Sequence, residues 1–152
     1  MSKDIPFENI TIGETLGPIE YAVEKKDVER YCDDWKDPNP MYLKSSPFGA
    51  PVVPPAFRAG LDSFRLLGSK YDAHATLGVT TEHEFINPAR IGKRLIVTGK
   101  ITDKYIKRGI EYVVIAYTTI DEDGVKIRES VDHVALGVER RADDQPGKEA
   151  GK

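Results

Sequence analysis

The chain has 152 residues, 25 acidic against 22 Lys and Arg side chains, a formal net charge of -3 and 39% hydrophobic residues. A chain of that length buries about 68–70% of its unfolded surface, enough for one domain with a proper core. Near-balanced charge with Val, Ile and Leu throughout excludes a disordered chain, and scattered Gly and Pro exclude collagen-like and low-complexity classes.

Residues 7–24 read as an irregular lead-in, a turn at Leu16-Gly17-Pro18 and a short strand over 19–23. An amphipathic helix follows. Val28, Tyr31, Cys32 and Trp35 recur at i, i+3, i+4 and i+7 and share a face, while Lys26, Glu29, Arg30 and Asp33 face away. Cys32 on that face reads as a small buried hydrophobe, not a reactive thiol. The helix must stop before Asp37-Pro38-Asn39-Pro40, because paired prolines forbid helical hydrogen bonding. Residues 37–55, with Pro38, Pro40, Pro47, Pro51, Pro54 and Pro55, form an irregular loop, and a loop that long in a small domain is usually functional.

Pro54-Pro55 opens a second helix, where proline suits the first turn. Phe57, Gly60, Leu61, Phe64 and Leu67 keep a helical period, and Ala56, Ala59 and Gly60 allow close approach of a neighbour. This helix is expected to be buried and central, ending near Gly68. Strand patterns then follow over 80–86, 94–104, 110–120 and 125–138. They are punctuated by turns at Lys107-Arg108-Gly109 and Asp121-Glu122-Asp123-Gly124. Residues 142–152 are polar and read as a frayed tail, leaving one domain over 1–141. A helix wrapped by consecutive antiparallel strands is an α+β layout, and its edge strands invite pairing with a second copy.

The longest apolar run, residues 112–117, is far short of the roughly 20 residues that span a bilayer, so no membrane association is expected. The first six residues show no apolar signal-peptide core. A single cysteine allows neither an internal disulfide nor a multi-cysteine zinc site, which suits the cytoplasm. A pI near 5.7 without a basic stripe argues against nucleic acid. His74, His83 and His133 have no metal-ligand spacing, so no metal and no cofactor are expected. His83 and His133 read as surface or partly buried strand residues. Neither a Gly-x-Ser-x-Gly elbow nor a glycine-rich phosphate loop is present. The chemistry must lie in the loop.

There, Asp37-Pro38-Asn39-Pro40-Met41-Tyr42 resembles the Asp-x-Asn-Pro-x-His signature of MaoC-like hotdog-fold hydratases and dehydratases. Phe48-Gly49-Ala50-Pro51-Val52-Val53-Pro54-Pro55 is similar to the segment leading into the central helix of that fold. Glu84-Phe85-Ile86-Asn87-Pro88-Ala89-Arg90-Ile91-Gly92 resembles its Phe-x-x-Pro-x-x-x-Gly stretch, and residues 7–17 also fit. Pro-Pro-x-Phe at 54–57 is similar to the N-terminal, fatty-acid-synthase-like half of MaoC dehydratases. The resemblance implies a single hotdog, an antiparallel sheet wrapped around a long central helix.

It also implies reversible addition of water to a trans-2-enoyl thioester of coenzyme A or acyl carrier protein, giving the (R)-3-hydroxyacyl thioester. In the family an Asp and a His hold one water, and a helix N-terminus stabilises the enolate oxygen. By that resemblance Asp37 is the catalytic carboxylate, and Asn39, Tyr42, Ala56 and Phe57 contact substrate. Ala56 and Phe57 would be the oxyanion donors, since Pro54 and Pro55 have no N–H.

Tyr42 stands where the motif has histidine. A phenol of pKa near 10 is a poor base at pH 7, and general-base catalysis typically contributes 10²–10⁴-fold. The resemblance therefore implies a subunit that shapes the acyl tunnel beside a second, catalytic hotdog chain, or a homodimer. The alternatives are a self-sufficient hydratase or thioesterase using Asp37, and a non-enzymatic acyl-thioester binding protein. Taken by itself, Asp37 before Pro-Asn-Pro also suits a plain turn cap.

Overall fold

The computed structural model describes residues 6–73 and 75–138. His74, the first five residues and the expected tail over 142–152 lie outside the described residues. After a 3-10 turn at Phe7–Asn9, the order is β1 (Thr15–Ala22), α1 (Lys25–Asp34), α2 (Pro40–Leu43), α3 (Asp62–Gly68), β2 (Thr76–Phe85), β3 (Arg94–Lys107), β4 (Ile110–Asp121) and β5 (Lys126–Leu136). The strands form one antiparallel sheet in the order β1-β3-β4-β5-β2, so β1 and β2 are its edges. It is a hotdog: the sheet carries α3 on its inner face.

Period-two alternation builds that face. Leu95, Val97 and Ile101 of β3, Val113, Ile115 and Tyr117 of β4, and Val134 and Leu136 of β5 are buried. Most of them pack with Leu66 and Leu67 of α3 in one apolar cluster. A second cluster gathers Val23, Val28, Cys32, Val53, Ala89, Leu95 and Ile127, with Tyr42 and Phe57 partly buried against it.

Three sequence expectations are corrected. The central helix begins at Asp62, not near Pro55, because Arg58 (φ 56°) and Gly60 (φ 80°) adopt left-handed backbone that a helix interior does not contain. Residues 55–61 form successive turns instead. Its phase also differs: Asp62, Ser63, Leu66 and Leu67 are buried, whereas Leu61 is 57% exposed. In α1, Val28 and Cys32 are buried as expected, but Trp35 caps the helix end and is 72% exposed. Finally, Leu16-Gly17-Pro18 is not a turn before a strand but an irregularity within β1, between Leu16 and Ile19.

Close approach of α3 is provided by the strands. A Cβ added to Gly17 would lie 2.8 Å from Leu66 Cδ2, and one added to Gly99 would lie 2.9 Å from Leu66 Cδ1. Leu66 therefore occupies a notch that two glycines leave open in β1 and β3. Beyond α3, Lys70 and Tyr71 bind the Glu14 carboxylate, Tyr71 at 2.6 Å, which ties the helix exit to the start of β1.

Gly99 has no positive φ, so only space restricts it. Gly99→Ala is expected to lower stability by about 1–3 kcal/mol through overpacking against Leu66. That exceeds the roughly 0.4–1 kcal/mol gained from a stiffer unfolded chain. In denaturant titrations, Leu66→Ala should cost less in the Gly99→Ala background than in the parent. Equal costs in both would refute the notch.

Candidate functional site

The motif segment first builds its own local structure. Helix α1 ends with Lys36 at φ 54°, and the Asp37 N–H donates to the Cys32 carbonyl at 2.8 Å. Asp37 Oδ1 accepts the Asn39 N–H at 3.1 Å, closing a turn of the kind Asp favours before Pro-Asn. Asn39 Oδ1 accepts the Met41 N–H at 3.0 Å and caps α2, with Pro40 in the first helical turn. Met41 then accepts the Val52 N–H at 3.0 Å, which closes the loop 42–51.

Tyr42, within α2, is partly buried against the second cluster. Burial raises its pKa, and the negative charge of Asp37 raises it further. The same two causes raise Cys32. Asp37, Tyr42, Tyr31 and Cys32 thus share one electrostatic neighbourhood, in which both the phenol at 42 and the thiol are held protonated.

The expected oxyanion donors sit in the turns before α3. Ala56 is exposed, and Phe57 is half-buried with its ring edge-on to Tyr31, centroids 5.5 Å apart. The Phe57 N–H donates to the Pro54 carbonyl at 2.9 Å, so this donor is already used. The helix N-terminus lies farther on. At its first residue, Asp62 places a fully buried carboxylate in an ion pair with Arg128 of β5, a favourable sign of charge for that helix end.

This pair is the centre of a polar interior that the motif reading missed. The Tyr21 hydroxyl donates to Asp62 Oδ2 at 3.0 Å, and Arg128 Nη1 donates to the Phe57 carbonyl at 3.4 Å. Burial, then the Asp62 charge, pushes the Tyr21 pKa well up. Farther along β5, Ser130 Oγ lies 2.7 Å from His83 Nδ1, and Asp132 accepts the Tyr117 hydroxyl at 3.1 Å. Burial and the Arg128 charge both lower the His83 pKa, against a weaker pull upward from Asp132 and Asp62, so its imidazole is neutral at pH 7. One signal in the sequence marks this interior: Arg128, Ser130 and Asp132 hold the strand positions in phase with buried Val134 and Leu136.

Between the 53–57 segment, the chain after β2 and the ends of β3–β5 lies a cavity of about 230 Å³. It is apolar on Val53, Pro54, Phe57, Phe85 and Ile127, with Thr119 and Arg128 among its polar lining. Among the described residues no group of His, Cys, Asp and Glu is arranged to hold a metal ion, and no helix is long and apolar enough to cross a membrane.

A family model of the FAS1-like dehydratase domain region matches residues 10–130. The chain belongs to this family. No curated protein sequence matches it. Among solved structures, the (R)-hydratase PhaJ1 from Pseudomonas aeruginosa is similar at 16% identity and TM-score 0.75, over 97% of each chain. A MaoC-like dehydratase from Rhodospirillum rubrum is similar at 19% identity and TM-score 0.69, over 88% of this chain and 97% of that one. The HadBC (3R-hydroxyacyl-ACP dehydratase) complex from Mycobacterium tuberculosis is similar at 18% identity and TM-score 0.64, over 84% of this chain and 98% of that one. At these identities the likeness establishes the shared hotdog fold.

In this member of the FAS1-like family the Asp62–Arg128 pair lies beside the cavity, with Arg128 among its lining residues. Removing one partner of a buried pair strands the other and typically costs about 3–5 kcal/mol, whereas an apolar replacement of both is often neutral. Asp62→Leu is therefore expected to destabilise by about that amount, and Asp62→Leu with Arg128→Met to recover most of it. Additive costs in denaturant titrations would mean that the pair is not coupled.

Proposed function

We propose that this chain is one subunit of an (R)-specific enoyl-thioester hydratase or 3-hydroxyacyl-thioester dehydratase, and that it shapes the acyl site beside a catalytic second hotdog. One observation carries the reading. The motif position where a base belongs is held by Tyr42, whose pKa is raised further by burial and Asp37, while one oxygen of Asp37 is engaged by Asn39. Such a pair can hold and orient a water or a substrate oxygen but is poorly suited to remove a proton at pH 7.

In this scheme a base on the partner takes a proton from water, and the oxygen bonds to C3 of the enoyl thioester. The electrons shift onto the thioester oxygen, and protonation at C2 completes the hydration. Asp37 and Asn39 line the approach to that water. Tyr42, Ala56 and Phe57 contact the acyl thioester, whose carrier is coenzyme A or acyl carrier protein. Exposed surface supports a partner. Edge strand β2 leaves Leu77, Val79 and Phe85 exposed, and a long uncovered edge with apolar side chains is a ready site for pairing. Trp35 and Leu61, both exposed, flank one open groove beside Phe57. The similar HadBC structure is itself a complex.

A second reading has its own observation. His83, neutral at pH 7 and held by Ser130, is a base away from the motif. It would favour a self-sufficient enzyme.

The test is co-expression with the neighbouring reading frames, followed by size exclusion, mass measurement and a crotonyl-thioester hydration assay. A stable complex with a second hotdog chain is expected, hydrating at least 10²-fold faster than this chain alone. Tyr42→His should give the isolated chain measurable hydration, lost again when Asp37→Asn is added. A robust rate from the unmodified chain, abolished by His83→Gln, would replace this reading with the second. Tight acyl-thioester binding with no turnover in any combination would leave a binding protein.

A further inference from the structure

Next to the cavity of about 230 Å³ lies a larger recess. An open groove of about 770 Å³ runs between α1 and the 56–61 turns, within the roughly 300–1,000 Å³ of pockets that take a whole ligand. Phe57 lines both, so one extended molecule could lie across the two.

Aromatic rings form one part of the groove. Trp35 is 72% exposed, with its ring centroid 6.1 Å from that of Tyr31, and Tyr31 stands edge-on to Phe57. Next to Phe57, the Arg58 guanidinium lies 5.7 Å from that ring's centroid and 4.7 Å from the Tyr21 centroid. Arg65 approaches the same Tyr21 ring at 5.2 Å. Neither arginine side chain has a carboxylate or hydrogen-bond partner among the described residues. Asp62, at the Tyr21 hydroxyl, is paired with Arg128, and its other oxygen has essentially no accessible surface, so it does not face the groove. Arg58 also holds a left-handed backbone, φ 56°, and such strain in a non-glycine residue clusters at ligand clamps.

The α1 rim has a different character. Arg30 there has Asp34 at 4.0 Å, and Asp27 uses one oxygen on the Glu24 N–H at 2.9 Å. Ionised carboxylates only accept, so this rim suits hydroxyl or amino donors.

These walls together describe one ligand class. An exposed indole stacks on a planar base, carboxylates accept from sugar hydroxyls, and guanidinium groups without a countercharge pair with phosphate. A partner chain can border the groove, but an apolar surface laid into it would desolvate Arg58 unpaired. We infer that the groove holds a nucleotide, with its base against Trp35 and its phosphate at Arg58, and with Arg65 adding a second positive charge nearby. That this nucleotide belongs to the substrate's carrier, which would make the carrier coenzyme A and not acyl carrier protein, rests on the function proposed above; the groove's preference does not.

Trp35 is the only tryptophan, so its fluorescence reports on this groove alone. The test titrates the purified full chain with ADP, adenosine and 4′-phosphopantetheine, and calorimetry gives a second reading. ADP is expected to quench saturably and to bind at least about tenfold tighter than adenosine, through charge-assisted phosphate contacts. Phosphopantetheine, which has a phosphate but no base, should leave the emission unchanged. By calorimetry, Arg58→Gln should weaken ADP about tenfold and leave adenosine within about twofold, while Arg58→Lys keeps part of the preference. Trp35→Ala, at an exposed position outside the core, should weaken both by at least about fivefold. Absent quenching by ADP, adenosine binding as tightly as ADP, or equal quenching by phosphopantetheine would overturn the inference without recourse to any variant. An ADP affinity indifferent to Arg58→Gln would overturn it too. These readings involve no turnover. They can fail while a two-chain complex hydrates crotonyl thioesters, and succeed where no such complex forms.

Discussion

Leu66 in the notch between Gly17 and Gly99 is the contact on which the other features depend. With a Cβ at either glycine, a Leu66 methyl would lie under 3 Å away, so Leu66 or the chain that carries it would have to shift. Close approach sets two things at once. It seals Leu66 and Leu67 against Val97, Ile101 and Ile115, fixing the apolar end of the core. It also brings the first residue of a short helix, Asp62, to the sheet, where Arg128 meets it.

The interior of this hotdog is therefore divided. One end is sealed by aliphatic packing, and the other holds a buried ion pair with Tyr21, Thr119, Ser130 and Asp132 around it. A purely apolar interior would be no less stable, since desolvating two charges costs several kcal/mol that their attraction only about offsets. The polar end lies against the chain that leads into α3. It borders the cavity beside the 53–57 segment, and Arg128 also fastens that segment through the Phe57 carbonyl.

Much of the fold was legible because alternation is a short-range signal. The three strands after residue 93 and the burial of Val28 and Cys32 follow from periodicity in single segments, and the turn at Asp121-Glu122-Asp123-Gly124 from its Asp and Gly, whereas β2, which is exposed along most of its length, starts at Thr76 and not at 80. The central helix was misread at its start because Phe57, Leu61 and Phe64 keep a helical spacing that the backbone of Arg58 and Gly60 does not honour. Trp35 looked like core by spacing but follows the last turn of α1, beyond the reach of that face. For the site, Asp37 and Asn39 were visible as a motif, and their turn and cap bonds follow from side-chain chemistry. The Asp62–Arg128 pair was not visible, because it joins residues distant in sequence and each alone resembles a surface charge. Only the phase of Arg128 with Val134 hinted at it.

The chain belongs to the FAS1-like dehydratase region family, and the function proposed for it turns on one claim, that this chain does not supply the base for hydration. The most direct measurement is the pH dependence of kcat/KM for crotonyl-thioester hydration by the assembled complex, before and after Tyr42→Phe in this chain. The phenol cannot titrate near neutrality here, and its loss removes one hydroxyl contact but no base. Both limbs of the profile should stay in place, with at most about a tenfold uniform fall in rate. A limb that moves or disappears when Tyr42 loses its hydroxyl would show that this chain does provide the proton-transfer group, and would contradict the account.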